Sequence, residues 1–183
     1  MGFSARLFAA RAHRSVFRHA FALDLVGLAW ALFGRAAFGA PIGSAAFLMA
    51  LPALFVPLAL AAPTRLAARP SPLPLPFALA IGQIAAQLAL WAALLLFGFA
   101  VTDGGSLFFS DEGPAIEENY GASAFTRLSG WTPQRFELSN QLAGQSFAAG
   151  TTAWATLVLL VLAGELIARV RRRVRRDRKA STD

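Results

Sequence analysis

The sequence predicts an all-α membrane protein in which four transmembrane helices form two hairpins, with a small, partly helical extracytoplasmic cap. Three observations lead to this fold class. Apolar residues make up 56% of the 183-residue chain, more than the roughly 45–50% of soluble domains, and they are concentrated in long runs. Basic residues lie beside these runs, and one acidic, aromatic segment separates the last two. A run of about 20 apolar residues is long enough to cross a bilayer.

The last apolar run determines the predicted topology. Residues 146–168 form the fourth predicted span, and residues 169–183 form a basic tail with eight Lys and Arg. Cations beside a span are retained in the cytoplasm. If four segments cross, fourteen of the 17 Lys and Arg fall on the side of the tail. We therefore expect both termini to be cytoplasmic.

The first 20 residues are basic and contain no acidic residue. We expect them to form a cytoplasmic or interfacial segment that is retained rather than cleaved, because no small-residue cleavage site follows a compact apolar core. Residues 21–101 then hold three spans. The first, residues 21–38, contains Asp24 and Arg35. It is counted as a span because otherwise the N-terminal arginines would face away from the tail.

The second span, residues 45–62, contains Pro52 and Pro57. Proline lacks an amide donor, so we expect the helix to kink or unwind there while neighbouring helices bind the freed carbonyls. Such a break is either ordinary packing or, as in transporters, part of a binding path. The connector at residues 63–76 alternates prolines and is expected to be an extended strut.

The third span, residues 77–101, is the strongest apolar run and carries Gln83 and Gln87 one helical turn apart. Two amides in hydrocarbon need partners, so this face is expected to contact another helix.

Asp24 is the most notable polar residue of the first span. His13, Asp24 and Arg35 are eleven residues apart, which places them on one helical face. Asp24 and Arg35 are about 16 Å apart along the axis and cannot pair. We expect Asp24 to bond either Gln83 or Gln87, or a group of another subunit. Its two open interpretations are a proton or ion relay and a structural carboxylate bonded to Arg18 or a glutamine.

Two further features of the N-terminal region bear on function. His13 and His19 are the only histidines, and both are expected at a wet surface, where one could at most ligate haem or chlorophyll together with another chain. Gly27 and Ala31, four residues apart, favour a close contact between helices.

The extracytoplasmic loop, residues 102–145, has six acidic residues against two arginines, a net charge of −4. Short helices are expected over residues 115–128 and 133–147, the second starting with Thr132 before Pro133. Asp103, Asp111 and Glu112 are a possible calcium set without EF-hand spacing, for which solvated surface is the simpler interpretation.

Several function classes lack the residues they need. The chain has no cysteine, and no Walker A, Rossmann, G-x-S-x-G or H-E-x-x-H motif is present. An enzyme therefore has few residues to work with, although the sequence leaves that question open. We expect no metal and no cofactor. We also expect no nucleic-acid binding, because the cations adjoin membrane segments. Anionic lipid headgroups or a partner are expected to contact five arginines of the tail: Arg171, Arg172, Arg173, Arg175 and Arg176.

The predicted function is that of an accessory or assembly subunit that packs against a larger membrane complex. The alternative is a small-solute transporter or small permease subunit, with Asp24, Pro52, Pro57 and the glutamine pair along its path. A third reading, an enzyme acting on lipid or cell-envelope substrates through outer carboxylates, has the least support. The preference for arginine over lysine and the abundance of alanine are typical of a high-GC bacterium, which suggests the bacterial inner membrane.

Overall fold

The computed structural model describes residues 3–40, 44–69, 75–102 and 122–180, and the regular structure in these ranges is helical. Three segments are long and apolar enough to cross a membrane: Leu7–Phe38, Phe77–Ala100 and Pro133–Val174. The all-helical class is thus confirmed for the described residues, and the protein has three candidate spans among them. The elements are α1 (Phe3–Phe33), a 3₁₀ helix (Gly34–Phe38), α2 (Ser44–Ala68), α3 (Phe77–Ala100), α4 (Ala124–Ser129) and α5 (Pro133–Ala180).

The N-terminal segment is part of the first long helix. α1 runs without a break through residue 20, where the sequence predicted a boundary. Neither glycine nor proline occurs between Phe3 and Val26. No residue with a low helix propensity of this kind therefore ends the helix near residue 20. Ala9, Phe17 and Ala20 are buried against the other helices. This segment therefore packs into the bundle along with the predicted span.

α2 is longer and more regular than predicted. It continues through all three of its prolines, without unwinding at Pro52 or Pro57, and ends at Ala68. The first half of the predicted extended connector is thus helical.

One of the carbonyls freed by proline has a partner in another helix. Pro63 has no amide hydrogen for the carbonyl of Ala59, four residues earlier. The indole Nε1 of Trp154 on α5 donates to that oxygen at 3.0 Å. A neighbouring helix therefore binds a freed carbonyl of α2 at Pro63, which is not one of the two prolines for which this was predicted.

α5 is a single helix of 48 residues. The short helix over residues 133–147, the span at 146–168 and the start of the basic tail are continuous rather than separate. Thr132 caps the helix as expected, accepting the Arg135 amide at 3.2 Å. Gly144 and Gly150 do not end the helix, because a glycine costs only about 1 kcal/mol in a helix interior.

The helix directions follow from contacts between distant residues. His13 meets Gln83, and Trp30 meets the Leu95 carbonyl, so α1 and α3 run in the same direction. Gln83 also contacts Leu160, whereas the carbonyl of Ala100 accepts from Ser139; α5 is therefore antiparallel to α3. An apolar cluster joins α1, α3 and α5; its buried members are Phe17, Ala20, Ala86, Leu157 and Val161.

Small residues bring α1 and α3 close together, as Gly27 and Ala31 predicted. A Cβ on Gly27 would lie 3.1 Å from Leu94. The tighter contact is at Gly98, where a Cβ would lie 2.6 Å from the Trp30 carbonyl oxygen and 2.8 Å from the Ala31 Cα. The backbones therefore touch at a glycine that the sequence pattern did not single out.

Part of the predicted cap lies outside the described residues. This applies to Asp103, Asp111 and Glu112, the possible calcium set, and to the first part of the helix predicted over residues 115–128. Within the described part, that helix is α4, from Ala124 to Ser129.

Candidate functional site

Five polar side chains from α1 and α3 form one cluster inside the bundle, which we call the polar cluster. Four of them are buried, with exposed fractions of 0–8%, and the fifth is half-buried. The members are His13, Asp24, Gln83, Gln87 and Trp91. Gln83, Gln87 and Trp91 occupy successive turns of α3, whereas His13 and Asp24 lie about three turns apart on α1. The two helices run in the same direction, so the cluster extends along the α1–α3 contact.

The first half of the polar cluster joins three helices. The amide nitrogen of Gln83 donates to the Leu160 carbonyl of α5 at 3.1 Å. The other end of this amide, Oε1, lies 2.7 Å from the Nε2 of His13. Because Oε1 can only accept, Nε2 of His13 carries the hydrogen, and the histidine tautomer follows from the network.

The second half of the polar cluster centres on Asp24. Its Oδ1 accepts from Gln87 Nε2 and from Trp91 Nε1, both at 2.8 Å. Asp24 Oδ2 and Gln87 Oε1 are buried without a hydrogen-bond partner. A buried polar atom without a partner costs about 1–3 kcal/mol, so these two oxygens are the least satisfied part of the cluster.

The predicted partner of Asp24 is confirmed for Gln87, and the prediction that the two glutamines face another helix is confirmed for both. The prediction for His13 was wrong: it is buried against Gln83, whereas His19 is exposed. Local sequence offers little sign of this burial, because His13 lies between Arg11 and Arg14 in a stretch that looks solvated. Its eleven-residue spacing from Asp24 was the available signal, since residues so spaced share a face.

Arg35 does not belong to the polar cluster. It is buried, with 4% exposed, in the 3₁₀ helix after α1. That helix contacts α4 at the opposite end of the bundle from His13. The structure thus separates Arg35 from Asp24, as their spacing required.

The remaining predicted site residues lie on other surfaces. Pro57 is half-buried in α2, and Pro52 lies within the same helix. Arg171, Arg172 and Arg173 are exposed on α5. Arg175 and Arg176 are in the same helix, and their side chains lie outside the described part.

A second polar group, missed by sequence reasoning, ties α4 to α3 and α5. Ser139 donates to the Ala100 carbonyl at 2.7 Å, so its oxygen accepts the hydrogen of Ser123, also at 2.7 Å. Ser123 in turn caps α4, accepting the Thr126 amide at 3.1 Å. The S-x-x-T spacing at residues 123–126 was a detectable capping signal, but nothing local pointed to Ser139. These bonds fix the cap to the end of the bundle.

Among the residues that the structure describes, no group of three His, Asp or Glu side chains could hold a metal ion. Comparison with known proteins found no matching family model, no matching curated protein and no matching solved structure. The chemistry of the polar cluster is therefore argued from its own geometry. It can join helices through hydrogen bonds, and it can hold a proton at a carboxylate shielded from water.

Proposed function

We propose that this chain is a multi-pass membrane protein that serves as an accessory or assembly subunit of a larger membrane complex. The observation that carries the proposal is the length of α5. Its 48 residues extend about 72 Å at 1.5 Å per residue, more than twice a hydrocarbon core of about 30 Å. A helix of this length projects beyond the bilayer, so its basic end is available to a partner subunit at the membrane surface.

The exposed cations on this end of α5 support a docking role. Arg169, Arg171, Arg172 and Arg173 are exposed within about one and a half turns of the helix. A continuous helix holds these charges in a fixed pattern, which a flexible tail would not do. Acidic surface of a partner subunit is the complement we propose, and anionic headgroups add to the attraction at about 1 kcal/mol per cation near the surface.

The arrangement of helices supports the finer topology that we propose: four spans in two hairpins, with both termini in the cytoplasm of a bacterial cell. The N-terminal half of α1 meets the start of α3, which in turn meets the second half of α5. On α2, the Arg65 guanidinium lies 4.7 Å from the Phe21 ring centroid. The basic stretches of α1, α2 and α5 thus gather at one end of the bundle, in agreement with the positive-inside rule.

The accessory role is tested by native purification in a mild detergent, followed by identification of the chains that purify with this one. We expect a stable partner, and we expect the triple variant Arg171→Gln, Arg172→Gln, Arg173→Gln to lose it. The matched control is Arg11→Gln with Arg14→Gln, which removes exposed cations of α1 at the same end. A chain that purifies alone, or a partner retained by the triple variant, would contradict the proposal.

A small-solute transporter is the second candidate, and the polar cluster favours it. Asp24 is 1% exposed and has one oxygen without a partner, which is unusual for a residue with a purely structural task. Under this alternative, Asp24→Asn abolishes flux in vesicles reconstituted with the purified chain. Unchanged flux would reject the alternative and leave the accessory role standing.

A further inference from the structure

The contact between Asp24 and Gln87 leaves one oxygen atom of each side chain without a hydrogen-bond donor. The carboxyl and the amide are joined by one hydrogen bond, from Nε2 to Oδ1 at 2.8 Å. The second oxygen of each group, Oδ2 of Asp24 and Oε1 of Gln87, is buried and has no partner. Neither residue is accessible to solvent beyond 1%. The carboxyl and the amide therefore each have one oxygen that accepts no hydrogen bond.

The orientation of the groups is fixed by their other contacts. Trp91 Nε1 is a donor only and lies 2.8 Å from Oδ1, so Oδ1 is an acceptor. The Gln87 amide has its nitrogen on Oδ1, because turning the amide around would place two acceptors together. The other atom of the amide group, Oε1, is then the acceptor that has no donor. A single hydrogen atom on Oδ2 would be a donor available to it.

We propose that the Asp24–Gln87 pair is a binding site for one proton, held on Asp24 Oδ2 and donated to Gln87 Oε1. The pair is then a neutral acid–amide ring with two hydrogen bonds. The proton comes from the aqueous phase and returns to it, and only an O–H bond forms or breaks. This inference does not depend on the accessory role.

Three titratable residues of the neighbouring elements lie beside groups other than Asp24 and Gln87. On α1 itself, His13 gives its Nε2 hydrogen to Gln83. From α2, Arg65 lies over the Phe21 ring. On α5, Glu165 follows Gly164, whose neighbour on α3 is Gln83 rather than Gln87. A lone carboxylate in hydrocarbon is costly, and a proton removes its charge at the place where the donor is missing.

Infrared spectroscopy of the full chain in lipid, labelled with [4-¹³C]aspartate, tests the proposal. A protonated carboxyl has a C=O band separate from the carboxylate bands, and the isotope shift assigns it to aspartate. We expect this band at neutral pH in the wild type and its complete loss in Asp24→Asn. Gln87→Leu should shift the band to higher frequency, because the C=O oxygen Oδ1 loses the Nε2 donor and the O–H loses its acceptor.

The control is a similar acid–amide contact exposed to water. Glu137 accepts from Gln141 at 3.2 Å on the surface of α5, and Glu137→Gln should leave the aspartate band unchanged. The proposal is overturned if the wild type shows only carboxylate bands at neutral pH, or if the protonated band persists in Asp24→Asn. Because the wild-type spectrum is informative by itself, a variant that fails to fold does not prevent the test.

Discussion

At the scale of single residues, indole and amide donors on one helix satisfy backbone carbonyls on another. Trp30 donates to the Leu95 carbonyl at 2.9 Å, Gln83 to Leu160 and Trp154 to Ala59. Such bonds contribute about 1 kcal/mol or less each in membrane proteins. Trp154 differs from the others because its acceptor is a carbonyl that Pro63 leaves free.

This relationship predicts coupling between Trp154 and Pro63. Trp154→Phe should lower the free energy of unfolding by about 1 kcal/mol, because the Ala59 carbonyl loses its only cross-helix donor in the described structure. In a Pro63→Ala background, the new amide of residue 63 can bond that carbonyl, and the same substitution should cost markedly less. A double-mutant cycle measured by unfolding in detergent gives the coupling. Equal costs in the two backgrounds would show that the indole bond is not a replacement for the missing amide.

At the scale of elements, the α1–α3 contact depends on the absence of a side chain at residue 98. The backbone of α1 at Trp30 and Ala31 occupies the space that a Cβ would need. Backbone atoms cannot change rotamer as a side chain can. A larger residue at position 98 must therefore increase the separation of α1 and α3. The polar cluster lies on the same contact, and its hydrogen bonds require the same separation.

We therefore expect Gly98→Ala to destabilise the fold by about 1–3 kcal/mol, in the range of overpacked cores. Gly144→Ala is the matched control within α5, because no atom lies within 4 Å of the added Cβ. That substitution should stabilise by up to about 1 kcal/mol through helix propensity. Thermal unfolding of both variants in the same detergent makes the comparison. A neutral Gly98→Ala would mean that α1 and α3 are free to separate.

At the scale of the whole molecule, the basic residues of three helices lie at one end, and the second polar group, with Ser123 and Ser139, lies at the other. α1 and α3 run from the basic end, and α5 returns to it. α2 also returns, because Leu60 packs with Leu90 while Leu66 packs near Ala86. The molecule therefore has one cationic end and one capped end.

This polarity predicts the result of reporter fusions in bacterial cells. A reporter joined after Arg69 or after Ala180 should report the cytoplasm, and one joined after Ala40 or Thr102 should report the opposite side, because cations are retained inside. Identical signals after Ala40 and Arg69 would show that α2 does not cross. A cytoplasmic signal after Thr102 would overturn the orientation.

The sequence by itself determined the features that depend on local pattern. These are the helical class, the cap at Thr132 and the need of Gln83 and Gln87 for partners, since hydropathy, capping chemistry and one-turn spacing are properties of neighbouring residues. It also restricted the partner of Asp24 to a short set that included Gln87.

The tertiary structure decided what depends on residues far apart in the chain. His13 became a buried donor because α3 brings Gln83 to it, 70 residues away. α2 passes Pro63 without a break while Trp154 serves its free carbonyl, and Gly98 matters because α1 crosses there. In each case the outcome depends on a contact between two helices. Such a contact cannot be inferred from the pattern of neighbouring residues.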